Sequence, residues 1–328
     1  MTAARFDLVA LGEPLVELNQ TRGTDTYLRG FGGDTSNCAI AAARLGARVA
    51  YVTRVGDDAF GRQLVELWRN EGIDVAGVAA DADAPTGVYF VSHGPGGHEF
   101  SYLRAGSAAS RMRPADVPLD IVRAAKILHV SGISQAISTS ACDACFAAME
   151  AARGAGVKVS YDTNLRVKLW SLARARAIIR ASLALADWAL PSIDDAALLF
   201  GRDEPEAIID ACHAAGAPLV VLRCGADGCV VSDGRRRERI GGHRVRAVDA
   251  TGAGDCFDGA LAARIVAGDD AFAAARYANA AAALATTGYG AVAPLPRHRD
   301  VLILLEASSQ QPKRAVPGGD GAKLKLGG

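Results

Sequence analysis

Stretches in which apolar residues recur every third or fourth position end at a glycine and give way to short β-branched runs. Three show it plainly: "AIAAARLGARVAYVTRVG" (39–56), "ACFAAMEAARGAGVKVSYDTN" (144–164) and "AIIDACHAAGAPLVVLRCG" (207–225). In each, the glycine closes a helix in the left-handed conformation, and the valine-rich run that follows is a buried parallel strand. Repeated alternation of this kind predicts a three-layer α/β/α fold around a mostly parallel central sheet. Two segments break the rhythm. Residues 13–33 and 85–104 carry turn residues, Thr and Tyr, which predicts two β-hairpins forming a small β lid on the main body. From residue 306 to 328 the chain turns polar and rich in Gly and Pro, so a disordered tail is expected after a single domain over residues 1–305.

Composition narrows the function classes. Half of the 328 residues are hydrophobic, enough for a sizeable core, and 36 basic residues balance 36 acidic ones. No net charge favours nucleic acid or an anionic membrane as partner, so any electrostatic function is local. Seven cysteines scattered through ordinary helices and strands suggest a reducing compartment. Cys142 and Cys145 form a CxxC pair but lack a second pair or a histidine at zinc spacing, and are expected to pack on one helix face. The N-terminal stretch runs directly into a strand without the features of a signal peptide, and no apolar run approaches the roughly 18 residues of a membrane span. A cytoplasmic protein is expected.

The chemistry concentrates at "AVDATGAGDCFDGALAARI" (247–265). A strand ending near Val248, a small-residue turn and a helix beginning near Asp255 would form an anion site. The N–H groups of Gly252, Ala253 and Gly254 can face a phosphate, aided by the helix dipole. Asp255 can cap that helix, or it can take a proton from a hydroxyl as its oxygen attacks a phosphoryl group. The residues alone leave both readings open. Neither GxxxxGK[ST] nor a strand–GxGxxG–helix is present, which argues against a Walker-type or dinucleotide site.

"VDATGAGDCFDGAL" resembles the C-terminal signature of the ribokinase-like (PfkB-type) carbohydrate kinases, and "GFGGDTSNCAIAAARLGARVAYVTRVGDDAFG" resembles their N-terminal glycine-rich pattern. The resemblance spans about residues 6–300. It implies that Asp255 is the catalytic base and that Gly252, Ala253 and Gly254 form the anion hole. It also implies a nucleotide-binding turn at "LRCGADGC", with Arg223, Gly225 and Gly228, and an adenine-side Asn279. The family's N-x-x-E motif, associated with magnesium, is degraded here to Ser192 and Asp195. Magnesium is implied all the same by ATP phosphoryl transfer, which needs charge neutralisation at the phosphate oxygens. A monovalent cation such as K⁺ near Asp249 and Thr251 follows from the family resemblance alone.

"HVSGISQAIS", "DTNLRVKLWS", "YLRAGSAAS" and "PSIDDAALLFG" are similar to stretches of 2-keto-3-deoxygluconate kinases. That similarity implies a sugar acid as substrate, phosphorylated by ATP at its terminal hydroxyl. Gly33, Tyr89, Tyr102, Arg104 and Arg166 then lie at the substrate, with Asp34 and Asn37 on sugar hydroxyls or fixing the loop. Asn164 and Arg166 also approach the nucleotide. Either arginine can grip a carboxylate through two parallel hydrogen bonds. Lid pairing in the family implies a homo-oligomer. The alternatives are a kinase for a neutral sugar such as fructose or for a related deoxy sugar acid, and a sugar-binding protein without catalysis.

Overall fold

The predicted alternation of helix and strand recurs in the computed structural model of the chain, which describes residues 4–20, 25–94 and 97–310. The strands are β1 (Phe6–Leu11), β2 (Leu15–Gln20), β3 (Tyr27–Gly32), β4 (Val49–Gly56), β5 (Asp74–Asp81), β6 (Val88–Gly94), β7 (Gly97–Leu103), β8 (Ala125–Ser131), β9 (Lys158–Asp162), β10 (Trp188–Ala189), β11 (Leu219–Arg223), β12 (Cys229–Ser232) and β13 (Arg237–Ile240). The helices are α1 (Asp34–Arg44), α2 (Ala59–Asn70), α3 (Leu119–Arg123), α4 (Gly132–Ala136), α5 (Thr139–Gly154), α6 (Leu172–Leu183), α7 (Ile193–Phe200), α8 (Pro205–Ala215), α9 (Ala253–Val266), α10 (Ala271–Ala285) and α11 (His298–Gln310).

Nine strands form the main sheet in the order β13-β12-β11-β10-β9-β8-β1-β4-β5, parallel from β11 to β5 and antiparallel at β12 and β13. Its inner strands are buried on both faces, which is why they read as continuous apolar runs, whereas the edge strands β5 and β13 are partly exposed. Along β1, Leu8 and Ala10 join a core with α1, α2, α9, α10 and α11, whereas Val9 and Leu11 join a second core with α3 and α5–α8. The helix-closing glycines Gly46, Gly156 and Gly216 all have positive φ, as their sequence context predicts. All seven cysteines are free, with Cys142 and Cys145 buried along α5. Among the described residues no helix is long and apolar enough to cross a membrane.

The two predicted hairpins form one four-stranded sheet, β3-β2-β6-β7, joined through the parallel pair β2–β6. Three boundaries differ from the sequence expectation. No strand leads to Val248: β13 ends at Ile240, and Val248 N donates instead to Thr286 O at the end of α10, at 2.7 Å. Gly242 explains the break, because a Cβ there would lie 2.2 Å from Ala226 O, where the chain crosses the turn after β11. The helix after the small-residue turn starts two residues earlier than expected, at Ala253, behind a left-handed Gly252. The polar tail does not begin at 306 either. Val301 is buried, Leu304 and Leu305 pack on the first core, and α11 carries the chain to Gln310. Residues 311–328 of the expected tail, 21–24 of the first lid segment and 95–96 of the second lie outside the described residues.

Candidate active site

Asp255 sits in the first turn of α9, a helix buried from Cys256 to Ala263, between α1 and α10. Gly259, one turn further on, lets α1 approach: a Cβ there would stand 2.4 Å from Cys38 O. That close crossing brings Asn37 of α1 to Asp255, its Nδ2 donating to Oδ2 at 2.8 Å. Asn37 Oδ1 is buried without a partner among the described residues, an open acceptor beside the carboxylate. Asp255 makes no capping bond; Gly252 occupies the cap position at φ 76°, where an added Cβ would lie 3.0 Å from Ala291 O.

The N–H groups of Gly252, Gly254 and Asp255 have no hydrogen-bond partner among the described residues, whereas that of Ala253 donates to Ala250 O at 3.2 Å. The open amides at this helix start are therefore those of 252, 254 and 255, shifted from the expected trio. Desolvation pushes the Asp255 carboxyl up to about 7; Asp34 and Asp162 raise it further, while Asn37 and Arg223 oppose the rise. A carboxylate with that proton affinity, beside open amides, can accept a proton from a hydroxyl at neutral pH while anionic charge gathers at the helix start.

Of the expected substrate residues, Gly33, Asp34 and Asn37 lie at the start of α1 and Asn164 reaches Asp34. Gly33 precedes α1 at φ 100°, with Glu13 O only 2.3 Å from where a Cβ would be. Asp34 is buried, its carboxyl raised chiefly by desolvation, and it accepts from Thr35 N at 2.8 Å, from Asn164 Nδ2 at 3.3 Å and from Ser131 Oγ. Asn164, at the end of β9, is the one described non-glycine residue with positive φ, at 28°. Two residues on, Arg166 is half exposed, donates to Leu165 O at 2.7 Å and stands 3.8 Å from Asp195.

Lid residues are engaged differently from expectation. The Tyr89 hydroxyl donates to buried Glu17, and its ring stacks on Tyr102 with centroids 5.9 Å apart. Arg104 is not a free counter-charge: it forms a salt bridge with Glu13, whose other oxygen accepts from Ser107 Oγ at 2.7 Å. Its guanidinium lies 5.5 Å from the Tyr102 ring centroid, and Nε is buried without a partner among the described residues.

On the other side of Asp255, Gly225 and Gly228 form the turn between β11 and β12, both at positive φ. A Cβ on Gly228 would lie 2.1 Å from Ile240 O. Asn279 of α10 is buried and donates to Ile240 O and Gly241 O at 3.3 and 3.4 Å, so it holds the backbone facing that turn. Arg223 instead points inward to Asp162 and Asp258. Ser192 caps α7 by accepting from Asp195 N at 3.3 Å, and Asp195 Oδ2 accepts from Leu165 N at 3.1 Å. Asp249 accepts from Thr251 N at 2.9 Å, Thr251 Oγ1 at 2.7 Å and Gly290 N at 3.0 Å.

Sequence reasoning passed over Glu13, Glu17, Asp162 and Asp258. Each is a carboxylate inside an otherwise apolar run ("LGEPLVEL", "VSYD", "CFDGAL"), and a buried charge requires a partner. That signal could have found them, though not named the partners.

The family described as pfkB family carbohydrate kinase matches residues 6–298. The chain is similar to the 2-dehydro-3-deoxygluconokinase of Thermoproteus tenax, at 38% identity over 317 residues that cover 93% of this chain and 95% of the relative. It is also similar to fructokinase-2 of Solanum habrochaites, at 34% identity over 322 residues, 92% of this chain and 97% of the relative. The solved fructokinase of Xylella fastidiosa with bound ATP superposes with a TM-score of 0.84 at 26% identity, covering 93% of this chain and 99% of that one. The helix–strand layers, the lid and the glycine turn ahead of Asp255 thus belong together: the chain is a member of the pfkB family of carbohydrate kinases, a sugar kinase that phosphorylates an alcohol group.

Proposed function

We propose that the chain transfers the γ-phosphoryl group of ATP to the terminal hydroxyl of 2-keto-3-deoxygluconate, giving 2-keto-3-deoxy-6-phosphogluconate. The observation that carries the chemistry is Asp255, held by Asn37 at 2.8 Å beside the open amides of Gly252, Gly254 and Asp255 itself. Asp255 takes the hydroxyl proton at its carboxylate as the phosphoryl group moves, and the amides stabilise the charge gathering on the phosphoryl oxygens. Asn37 Oδ1, the open acceptor, orients a sugar hydroxyl. Lid residues Tyr89, Tyr102 and Arg104 cover the sugar and exclude water, the competing acceptor. ATP lies toward Asn164, Ser192, Gly225, Gly228 and Asn279.

Among the described residues no group of three His, Cys, Asp or Glu could hold a metal by itself. Magnesium keeps waters and takes phosphate oxygens alongside one or two carboxylates, and Asp195, 3.8 Å from the Arg166 guanidinium, is the carboxylate that would hold it. Bound there, magnesium supplies charge neutralisation at the phosphates. A monovalent cation at Asp249 and Thr251 belongs to the same reading, as does a homo-oligomer formed through the lid, where Leu28 and Leu103 are exposed. Light scattering would register the latter as a multiple of the 33.9 kDa chain.

The sugar acid is favoured by Arg166, a half-exposed guanidinium whose nearest carboxylate is 3.8 Å away, and by the likeness to the Thermoproteus tenax enzyme. Fructose is the second reading, favoured by the balancing of Arg104 by Glu13. A coupled assay of ADP release over a sugar panel separates them: kcat/KM for 2-keto-3-deoxygluconate should exceed that for fructose by about 100-fold, the discrimination that one well-placed charged contact provides. A preference for fructose would overturn the acid reading.

A further inference from the structure

Arg223 heads the glycine turn between β11 and β12, yet its side chain leaves that turn. Nη1 donates to both carboxylate oxygens of Asp258 at 3.0 Å, and Nη2 to Asp162 and to Leu190 O, the latter at 2.8 Å. Its side chain is 12% exposed. On the opposite side, a Cβ built on Gly254 would stand 3.0 Å from Nη1 and 3.5 Å from Cζ. The guanidinium therefore lies against the first turn of α9, one residue before Asp255. Asp258 anchors it from one turn further along that helix, near Asp255 on its surface.

We propose that Arg223 is a positioning residue for phosphoryl transfer, which fixes the first turn of α9 and keeps a buried positive charge behind its open amides, and is not a contact to the nucleotide. The proposal rests on the reading of Asp255 as the base. A cation at a helix start is unfavourable by itself, so Arg223 is kept there by Asp162 and Asp258. The planar guanidinium, pinned at both Nη atoms, has little freedom to follow a ligand. It also explains the glycine at 254, where any side chain would meet a cation that cannot move aside. In a site of low polarity, its charge acts on the proton affinity of Asp255 and on an anion at the amides. The other groups facing Asp255 are Asp34, Asn37 and Cys38 from α1, Asp162 from β9, Cys256 and Asp258 from α9 and Tyr89 from the lid. Arg223 is the cation set against them.

The test compares Arg223→Gln and Arg223→Lys with the parent enzyme in kcat across pH and in KM for ATP. The Gln variant should move the acid limb of kcat upward by about 0.5 pH unit or more and lower kcat at least ~30-fold, with KM for ATP within about threefold. Lys keeps the charge without the fork, so it should restore the limb to the parent position while remaining at least ~10-fold slow. A KM for ATP raised about tenfold or more with an unmoved limb would overturn the proposal and make Arg223 a nucleotide contact. So would parent-like kinetics in both variants. If the Gln chain does not fold, Lys decides alone: lowered kcat at unchanged KM supports the proposal, raised KM at unchanged kcat refutes it. Asp255→Asn, run alongside, isolates the underlying reading, since near-parent turnover there removes the base whatever Arg223 does.

Discussion

Replacing Asp255 by Asn should damage catalysis and stabilise the fold at the same time. Asn retains an oxygen to accept from Asn37 Nδ2, so the 2.8 Å contact can persist while the proton acceptor is lost. Loss of a positioned general base lowers kcat by about 10²–10⁴-fold, with KM values little changed. Stability moves the other way. The folded carboxyl is pushed up to about 7 from an ordinary 3.8, chiefly by desolvation. Because the folded state binds the proton more tightly than the unfolded chain, the parent enzyme loses stability as pH rises from about 4 to 7. The full difference is worth on the order of 4 kcal/mol, and water reaching the cleft screens it to about 1–3 kcal/mol. The Asn variant carries no such penalty. Its melting temperature should exceed the parent's by several degrees at pH 8, at about 2 °C per kcal/mol, and should approach it near pH 4. Scanning calorimetry at pH 4, 6 and 8 with a coupled kinase assay reads both effects. Turnover above a tenth of the parent's, or a variant that melts lower at pH 8, would refute the reasoning.

Three further perturbations follow from the same geometry. Arg166→Ala should lower kcat/KM for a sugar acid by about 30-fold or more while changing fructose little, as the loss of a charge-assisted pair implies; equal losses on both sugars would count against carboxylate recognition. Gly259→Ala, which in an ordinary helix interior would gain about 1 kcal/mol, should instead cost roughly 1–3 kcal/mol in urea denaturation and slow turnover. The reason is the 2.4 Å approach of its Cβ to Cys38 O, and an unchanged midpoint would show that α1 and α9 do not cross so closely. Glu13→Gln keeps an acceptor for Ser107 and Arg104 but removes the balancing charge, so the ratio of kcat/KM for sugar acid over fructose should rise several-fold. A fall in that ratio would mean that Glu13 serves chiefly to aim Arg104.

Local features were legible in the sequence because their causes are local. The glycine-closed helices, the β-branched strands and the turn ahead of Asp255 each depend on φ preferences and apolar spacing within a few residues. Even there, the helix starts two residues earlier, behind the left-handed Gly252, and no strand leads to Val248, where the chain passes Gly242 close over Ala226. The end of α11 was likewise set by what its apolar residues could reach, with Leu304 and Leu305 packing on the core from a segment about to turn polar.

What the chain alone determines is therefore the rhythm of helix and strand, the lid segments and the small-residue turn ahead of Asp255. Which charge meets which was decided by the tertiary structure. Arg104 finds Glu13 91 positions away, Tyr89 finds Glu17 across 72, and Arg223 finds Asp162 across 61. Apolar periodicity places a side chain on a face of its own element, but it carries no information on which distant element the sheet order brings alongside. A buried charge takes its partner from that neighbour, because leaving it unpaired costs several kcal/mol, a large part of the fold's margin of stability. Arg223 was thus recognisable as a residue of the glycine turn, while its direction, inward and beneath Gly254, depended on where β9 and α9 came to rest.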